Sequence, residues 1–406
     1  MIIEESTGNI MKRFSGKHIL IIVENLPLPF DRRVWQEANT LKEEGAMVSI
    51  ICPKMKGYTK PYECLNDIHI YRHPLPVEAN SAKGYLLEYG IALFWEFVLA
   101  WKIYFKNRFQ VIQGCNPPDL IFTVALFFKL LGVKYVFDHH DINPELYIAK
   151  YNKRGFFYNL MLLFEKLTFK TANYSISTNE SYKKIAIERG KMTENKVFIV
   201  RSGPKLDRLK IAKGNGRYKK GKNFLIGYVG VIGRQEGIDL LLESIKYIVD
   251  SRDDVQFAIV GGGTEVEKLK LLCLSLGVGN HVTFYGRVDD EMLIDILNTA
   301  DVCVNPDKPT DMNNLSTMNK IMEYMALKKP IVQYDLKEGR FSAQDASLYA
   351  HYDTKDFAEK ILWLLDRPDE RKRMGELGYS RVFNELSWEH ESKKLISFYE
   401  MVLNGK

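Results

Sequence analysis

Short apolar runs alternate with helical stretches through the first half of the chain. HILIIVEN (18–25) has the length of a buried strand, RRVWQEANTLKEEG (32–45) has helical periodicity with a glycine at its end, and MVSIICP (47–53) is strand-like again. Four later runs are also strand-like: FQVIQG (109–114), YVFDHHD (135–141), YSIST (174–178) and VFIVRSG (197–203). Alternation of this kind predicts a doubly wound parallel sheet.

The alternation stops once and then restarts. Residues 209–223 are rich in Lys and Gly without apolar periodicity, which predicts a linker. Strand-like runs return at 224–230, 255–263, 282–288, 301–307 and 330–335, with helical stretches between them. We therefore predict an α/β fold with two Rossmann-like domains, at 1–208 and 224–386, facing across a cleft, and a final amphipathic helix at 387–406.

One helical stretch carries candidate chemistry at its start. In LSTMNKIMEYMALKKPIV (315–332), Ser316 or Thr317 is expected to cap the helix, so that free backbone N–H groups attract phosphate. Lys320 adds a mobile positive charge in the first turn, and Glu323 lies three residues further on the same side. The alternative is a capped surface helix with a Lys320–Glu323 salt bridge and no ligand.

Several loops follow predicted strands, where the ligands of open parallel sheets bind. In the second domain these are GGG (261–263), GR (286–287) and NPD (305–307), beside the helix start just described. In the first domain they are ENLPLPFDRR (24–33) and HHDINPE (139–145). We expect each set to meet at one edge of its sheet.

Composition is that of a globular protein, with 46% hydrophobic and 27% charged residues. The cysteines form no C-x-x-C pair, which favours reduced core thiols over disulfides or a zinc site. The first residues are polar and include acids, so we expect no secretory signal and a cytoplasmic location.

Charge is divided unevenly along the chain. Residues 1–222 hold 35 Lys and Arg against 21 Asp and Glu, a net charge of +14, whereas residues 223–406 carry −8. The basic half predicts contact with an anionic membrane surface or another polyanion, unless the charge merely partitions unevenly.

The apolar stretch GYLLEYGIALFWEFVLAWKIYF (84–105) lies in this basic half. It is long enough to span a bilayer, but charged residues interrupt it, which argues against a span. Two interpretations stay open: a helix of the Rossmann layer, or an interfacial helix that inserts Trp95, Phe97 and Trp101 into lipid beside Lys102 and Lys106.

The ordered segments of the second domain resemble a known family. GYVGVIGRQEGIDLLLES, VGGG, FYGRV, ADVCVNPD and STMNKIMEYMALKKPIV, in this order, are similar to retaining glycosyltransferases of family four, which have the GT-B fold. The loop PFDRRV (29–34) is similar to that of the bacterial surface-polysaccharide subgroup. The likeness covers nearly the whole chain, and in such enzymes the last helix usually crosses back to the first domain.

This resemblance implies a donor site for a nucleotide sugar, most often a UDP-sugar, in the second domain. Glu323 would hold the ribose hydroxyls, while Lys320 and the amides of Ser316, Thr317 and Met318 would cradle the diphosphate. The other predicted donor-binding residues are Asp307, Arg287, whose backbone would border the base, and Gly261, Gly262 and Gly263, which would let the chain approach the donor closely.

The chain departs from the family pattern at three positions. Leu315 stands where the family has the first glutamate of E-x7-E, and Val231 and Glu236 replace the usual diphosphate-binding Arg and Lys. Arg234 is the nearest cation and is predicted to take over with Lys320; the alternative is a solvent-exposed loop arginine. Glu236 would be unfavourable beside phosphates unless it faces a sugar hydroxyl or that arginine.

Two segments of the first domain complete the predicted site. By similarity His140 would meet the donor sugar with Asp141 orienting it; the alternative is a capped turn at the strand end. Asp31 is expected to cap the helix after the first strand. Arg32 and Arg33 in its first turn would bind an acceptor or phosphate, or else form an internal salt bridge.

These implications describe a retaining, metal-independent glycosyltransferase without a cofactor. It would move a hexosyl or N-acetylhexosaminyl group to a glycan or lipid-linked acceptor in surface-polysaccharide biosynthesis, with His140, Asp141, Lys320 and Glu323 as catalytic residues. A UDP-sugar 2-epimerase of the same fold is the nearest alternative. A nicotinamide oxidoreductase would need a G-x-G-x-x-G motif after the first strand, and this chain has none there. A basic nucleic-acid-binding module is a further alternative, but only the charge of the first half favours it.

Overall fold

The chain folds into two compact α/β units. The computed structural model describes residues 12–75 and 82–404, with the side chains of 82–86 left out. Unit 1 comprises the described residues up to Pro144, Arg154–Val200 and the chain from Ser392 onward; unit 2 comprises Glu145–Lys153 and Arg201–Glu391. The predicted α/β fold class is confirmed.

An eight-stranded sheet forms the centre of unit 1. Its strands are β1 (His18–Val23), β2 (Met47–Pro53), β3 (Tyr62–Leu65), β4 (Ile68–His73), β5 (Val111–Cys115), β6 (Lys134–His139), β7 (Tyr174–Ser177) and β8 (Val197–Ile199). Their order is β3-β4-β2-β1-β5-β6-β7-β8, and all pairs are parallel except β3 with β4. β3 at the sheet edge and β4 beside it were not predicted, because apolar and polar residues are mixed along both strands.

Helices cover this sheet. They are α1 (Arg32–Glu43), α2 (Ala82–Lys106), α3 (Phe122–Lys129), α5 (Phe156–Thr171) and α6 (Glu180–Glu188). α4 (Asn143–Tyr151) follows β6 and lies mostly in unit 2. α2, α3 and α5 share one apolar core with the strands, in which Ala100, Phe128 and Phe169 are buried. The stretch 84–105 thus packs in the helical layer through one of its sides. None of the helices in the described ranges combines the length and the apolar character that a bilayer span needs.

Unit 2 has a fully parallel six-stranded sheet. Its strands are β9 (Phe224–Val229), β10 (Val255–Val260), β11 (Val282–Gly286), β12 (Val302–Asn305), β13 (Ile331–Tyr334) and β14 (Ser347–Ala350), in the order β11-β10-β9-β12-β13-β14. The order reverses between β9 and β12, which is where open parallel sheets bind ligands. The remaining helices are α7 (Ile238–Ser251), α8 (Val266–Ser275), α9 (Asp290–Thr299), α10 (Asp311–Leu315), α11 (Asn319–Ala326), α12 (Lys337–Ala343), α13 (Thr354–Leu365), α14 (Pro368–Arg381) and α15 (Trp388–Asn404).

Strand side chains alternate between two cores in unit 2. Phe257 and Ile259 of β10 pack in one apolar cluster, whereas Ala258 and Val260 pack in the other. Because successive side chains of a strand point to opposite faces, this pattern means that helices cover both faces of the sheet.

The predicted linker 209–223 is part of unit 2, and the change between units falls at Val200 and Arg201. Leu209 and Tyr218 are buried in the unit 2 core. The high Lys and Gly content of this segment suggested a linker, because average composition does not reveal that single side chains such as Leu209 and Tyr218 are buried.

The final helix, α15, joins unit 1 from Ser392 onward. Leu395, Phe398, Tyr399 and Val402 are all buried. The hydroxyl of Tyr399 donates a hydrogen bond to Gln113 Oε1 in β5. This helix therefore completes the core of unit 1, although nearly 200 residues separate it from the rest of that unit.

Candidate functional site

Lys320 lies at the carboxyl ends of β9 and β12 in unit 2, held by two carboxylates. Its Nζ is 2.8 Å from Asp307 Oδ1 and 3.3 Å from Glu236 Oε2. The ammonium also lies over the ring of Tyr228, 4.9 Å from its centroid. Lys320 is 8% exposed, so the predicted mobile charge is in fact fixed.

The charges in this cluster depend on one another. Burial raises the pKa of Glu236 to about 7, even though Lys320 acts in the opposite direction. Burial alone would lower the pKa of Lys320, but Asp307, Tyr228 and Glu236 outweigh it and raise that pKa well above its usual value. Lys320 is therefore always charged, whereas Glu236 can gain or lose a proton near neutral pH. Glu236 was expected to face a sugar hydroxyl or Arg234; the structure places Lys320 beside it.

The helix that carries Lys320 begins later than predicted. α11 starts at Asn319 with Met318 as its N-cap, and no side chain caps it. The Ser316 hydroxyl instead donates to Met312 O at 2.7 Å, in the turn that ends α10, and Thr317 follows outside either helix. The Ile321 N–H already donates to Met318 O at 3.1 Å, so an anion-binding helix end without the predicted Ser or Thr cap would rest on the N–H groups of Asn319 and Lys320.

Glu323 is ion-paired in unit 2. It accepts a hydrogen bond from Arg208 Nη2, and Arg208 Nη1 is 3.2 Å from Asp290 Oδ1. The alternative of a Lys320–Glu323 salt bridge is not what the structure shows: Lys320 pairs with Asp307, and Glu323 pairs with Arg208. Arg208 was missed because it lies 115 residues away in the chain and in no motif.

The three glycines after β10 pack against the chain that follows β9. A Cβ on Gly261 would lie 1.8 Å from Gly230 O, and one on Gly263 would lie 2.3 Å from Ile232 O. Gly262 faces Arg287, whose Cγ would be 3.3 Å from an added Cβ. The glycines are therefore required first by this backbone approach, whereas their sequence suggested approach to a ligand.

Arg234 is exposed beside a cavity of unit 2. The cavity has a volume of about 350 Å³, and its lining includes Arg234, Lys308, Asp311 and Glu145. Lys308 is paired with Asp239 at 2.6 Å. Arg234 and Glu236 share one short 3₁₀ turn, so the turn presents a cation to this cavity and a carboxylate to Lys320.

In unit 1, His140 follows β6 and contacts two charged groups. Its Nε2 lies 2.7 Å from Asp138 Oδ2 and 2.9 Å from Arg33 Nε. The orienting carboxylate is thus Asp138 and not the predicted Asp141. A strand places residues two apart on the same face, so Asp138 and His140 point the same way; this period was available in the sequence.

Arg33 forms the internal salt bridge that was one of its two predicted alternatives. Its Nη2 is 2.9 Å from Asp138 Oδ1 and 3.0 Å from Glu37 Oε1, and its Nη1 donates to Val200 O at 2.8 Å. Asp31 caps α1 as expected, accepting from Val34 N at 3.1 Å, and Arg32 is exposed. Arg33 is thus a structural residue of unit 1.

Opposing shifts fix the protonation around His140. Burial alone would raise the pKa of Asp138, but Arg33 and His140 outweigh it and hold that pKa far below its usual value. Burial would lower the pKa of His140, but Asp138 raises it above the ordinary value. The adjacent His139 is buried, which lowers its pKa to about 3. The two neighbours therefore differ: burial disfavours the charged form of His139, whereas Asp138 favours the charged form of His140.

The network around His140 extends to the end of the chain. Gln113 Nε2 donates to Asp138 Oδ2 at 2.8 Å and to Glu37 Oε2 at 2.6 Å, while its Oε1 accepts from Tyr399. The side chain of Asn116 accepts from the backbone N–H of His140 at 2.6 Å. α15 thereby contributes to the same buried polar cluster as β5 and β6.

One residue set in the described part has metal-like spacing. The candidate ligand atoms of Cys115, Asp138 and His140 all lie within 4.8 Å of one another. Arg33 already supplies a cation to Asp138 and contacts His140, so the charge of this carboxylate is balanced by a guanidinium.

Part of the chain matches a known protein family. Residues 213–381 match the family described as glycosyl transferases group 1. The matched segment lies within unit 2, and the chain is a glycosyltransferase. A relative with a similar sequence is the capsular polysaccharide biosynthesis glycosyltransferase CapM of Staphylococcus aureus, 28% identical over 73% of this chain and 78% of CapM.

Two solved structures show the same fold. Sucrose-phosphate synthase from Thermosynechococcus elongatus superposes with a TM-score of 0.80 at 19% identity, over 96% of this chain and all of the other. HepE from Anabaena, in complex with UDP-glucose, superposes with a TM-score of 0.69 at 13% identity, over 94% of this chain and 99% of HepE. The predicted GT-B fold and glycosyltransferase family are confirmed, while the roles of the individual site residues stay predictions.

Proposed function

We propose that this glycosyltransferase retains the anomeric configuration and transfers a hexosyl or N-acetylhexosaminyl group from a UDP-sugar. The acceptor is a glycan or lipid-linked sugar of surface-polysaccharide biosynthesis. CapM, named for capsular polysaccharide, supports the pathway class, and the UDP-glucose complex of HepE supports the donor class.

The observation that carries the proposal is the position of Lys320. A buried ammonium, two carboxylates and the start of α11 meet where the strand order of unit 2 reverses. A diphosphate bound there would receive the Lys320 charge and the N–H groups of the helix end, so it could leave as an anion without a metal ion. Glu323, three residues along α11, would accept from the ribose hydroxyls while sharing its charge with Arg208.

His140 would face the transferred sugar. Because Nε2 is engaged by Asp138 at 2.7 Å and by Arg33 Nε at 2.9 Å, Nδ1 is the nitrogen left for a sugar hydroxyl. The leaving phosphate would take the acceptor proton, so no side-chain base is assigned.

Thermal shift with a panel of UDP- and GDP-sugars tests the donor site. At a hundred times its Kd, a ligand should raise the stability of the wild type by about 2.7 kcal/mol. Glu323→Gln should lose most of this ligand-induced shift, because an amide replaces the acceptor of two hydroxyls. Glu291→Gln on the exposed side of α9 is the matched control and should keep it.

Acceptor dependence then tests transfer. UDP release that requires an acceptor, with a product of unchanged anomeric configuration by NMR, is the expected result. Release of UDP without an acceptor together with an epimerised sugar would favour the epimerase, and a shift with GDP-sugars alone would change the donor class.

A further inference from the structure

We propose that unit 1 docks on an anionic membrane surface through one face made by α2, α3 and α5. This apolar face is defined by the exposed residues Leu87, Phe94, Val98, Phe105, Leu126, Phe127, Leu130, Leu131, Phe156 and Leu163. The docking does not depend on the donor site of unit 2.

On α2 the exposed apolar residues form a single line. Leu87, Phe94, Val98 and Phe105 are 64, 61, 38 and 80% exposed and are spaced by seven, four and seven residues. At about 100° per residue these side chains fall within roughly 20° of one direction, and the line is about 27 Å long. Trp95, Phe97 and Trp101, the residues predicted to enter lipid, are half-buried beside this line.

α3 continues the face. Leu126 and Phe127 of α3, and Leu130 and Leu131 of the turn that follows it, are 45 to 87% exposed. The rings of Phe127 and Phe97 are 5.0 Å apart and connect α3 with α2. Two neighbouring helices therefore present apolar side chains to the same region of the surface.

α5 adds Phe156 and Leu163, which are 74 and 48% exposed and seven residues apart. Their spacing again places both on one side of the helix. An apolar surface that extends over three helices is larger than the scattered exposed residues of ordinary proteins and marks a binding surface.

The charged residues of these helices are of one sign where they are exposed. Lys102 and Lys106 of α2 and Lys166 and Lys170 of α5 are exposed and have no ion pair within the described residues. The acids of the same two helices point inward: Glu96 and Glu165 are buried, and Glu88 is half-buried. An apolar face bordered by lysines matches a bilayer with anionic headgroups.

This charge pattern favours a bilayer over a second copy of the chain. In a two-fold contact through this face, the lysines of both copies would be brought to the same interface. Acidic lipids would instead neutralise them at each site.

Vesicle co-flotation of the full-length chain tests the proposal. Wild type should float with phosphatidylcholine vesicles that contain 30% phosphatidylglycerol (about one anionic lipid in three) and much less with phosphatidylcholine alone. Phe94→Ser/Phe105→Ser should lower the partition coefficient about tenfold or more, since two exposed aromatic side chains leave the lipid. Lys102→Gln/Lys106→Gln should lower binding to the anionic vesicles selectively.

A matched control lies on unit 2. Leu271 and Leu274 of α8 are 68 and 70% exposed, and Leu271→Ser/Leu274→Ser should bind vesicles like wild type. Unfolding temperatures equal to that of wild type establish that the serine variants fold. Equal flotation of all variants, or flotation lost equally in the α8 control, overturns the proposal. Light scattering tests the alternative of a second copy. If wild type is a dimer that does not bind vesicles, and Phe94→Ser/Phe105→Ser is a monomer, the face binds a second copy of the chain instead.

Discussion

Lys320 carries a charge that the protein has already neutralised. Its ammonium is buried between Asp307 and Glu236, and burial of an ion is tolerated only with such partners. A diphosphate entering this place would meet one carboxylate that is titratable near neutral pH, because the pKa of Glu236 is raised to about 7. Glu236 can therefore accept a proton as the anion binds, which removes the repulsion expected from its sequence position.

The pH dependence of donor binding follows from Glu236. A bound diphosphate raises its pKa above the free value of about 7, so binding takes up a proton at higher pH. Wild-type affinity for the best UDP-sugar should fall as pH rises above 7, by at most about tenfold per unit. Glu236→Gln should bind more tightly than wild type at pH 8.5 and show a flatter profile. Calorimetry in two buffers of different ionisation enthalpy measures the proton uptake.

Glu267 of α8 is exposed, and Glu267→Gln serves as the reference variant in that series of pH measurements. A wild-type affinity that stays constant from pH 6.5 to pH 8.5 (about two units around the Glu236 value), or a Glu236→Gln profile as steep as that of wild type, would contradict the role given to Glu236.

At the scale of one element, the two sides of α2 differ: the exposed side is apolar, and the buried side carries a carboxyl group. Glu96 lies nearly 180° from the exposed apolar line, and its carboxyl is buried with no hydrogen-bond partner among the described residues. Burial raises its pKa to about 8, and burial together with Glu96 and Glu88 raises the pKa of Glu24, after β1, to about 9. The helix thus keeps a neutral acid in the core at pH 7.

Replacing Glu96 by Gln should change stability in a pH-dependent way. The unfolded chain releases the Glu96 proton near pH 4.5, whereas the folded chain keeps it to about 8. Wild type should therefore lose stability relative to Glu96→Gln as pH rises through this window, by up to about 1.4 kcal/mol per unit. Chemical denaturation at pH 5, 7 and 9 (roughly the two ends and the middle of that window) measures the difference. Glu43→Gln, exposed on α1, should show no such trend; a parallel offset at all pH values would mean that Glu96 is ionised in the fold.

At the scale of the molecule, the last segment of the chain, α15, packs into the core of unit 1. Leu395, Phe398 and Tyr399 are at most 1% exposed, and Tyr399 donates to Gln113 within the network around His140. The stability of unit 1 therefore depends on residues that follow the whole of unit 2 in the sequence.

Leu395→Ala/Phe398→Ala should destabilise unit 1 selectively. Each truncation of a buried side chain costs roughly 2–5 kcal/mol, because it loses burial and leaves a cavity. Hydrogen exchange by mass spectrometry should show faster exchange in β1, β5 and β6 and unchanged protection in β9, β10 and β12. Lys393→Ala/Ser397→Ala on the exposed side of α15 is the control. Equal loss of protection in both sheets would show that the two units unfold as one.

Most strands and helices, and the resemblance to a family, could be predicted from the sequence alone. Apolar runs such as 18–25 and 224–230 can be read locally, because a strand buried on both faces must be apolar along its length. The ordered motifs also located Lys320, Asp307 and Glu323 at one sheet edge. β14 and the β3–β4 pair escaped this reading, since short strands at a sheet edge have mixed polarity.

Tertiary structure alone decided which charges meet. Sequence spacing suggested Lys320 with Glu323 and His140 with Asp141, but the fold pairs Lys320 with Asp307, Glu323 with Arg208, and His140 with Asp138. Ion pairs depend on distances of a few ångströms between side chains that are remote in the chain, and periodicity contains no such information. The apolar face of α2, α3 and α5 also depends on tertiary structure, because packing against the sheet determines which side of each helix is buried and which side is exposed.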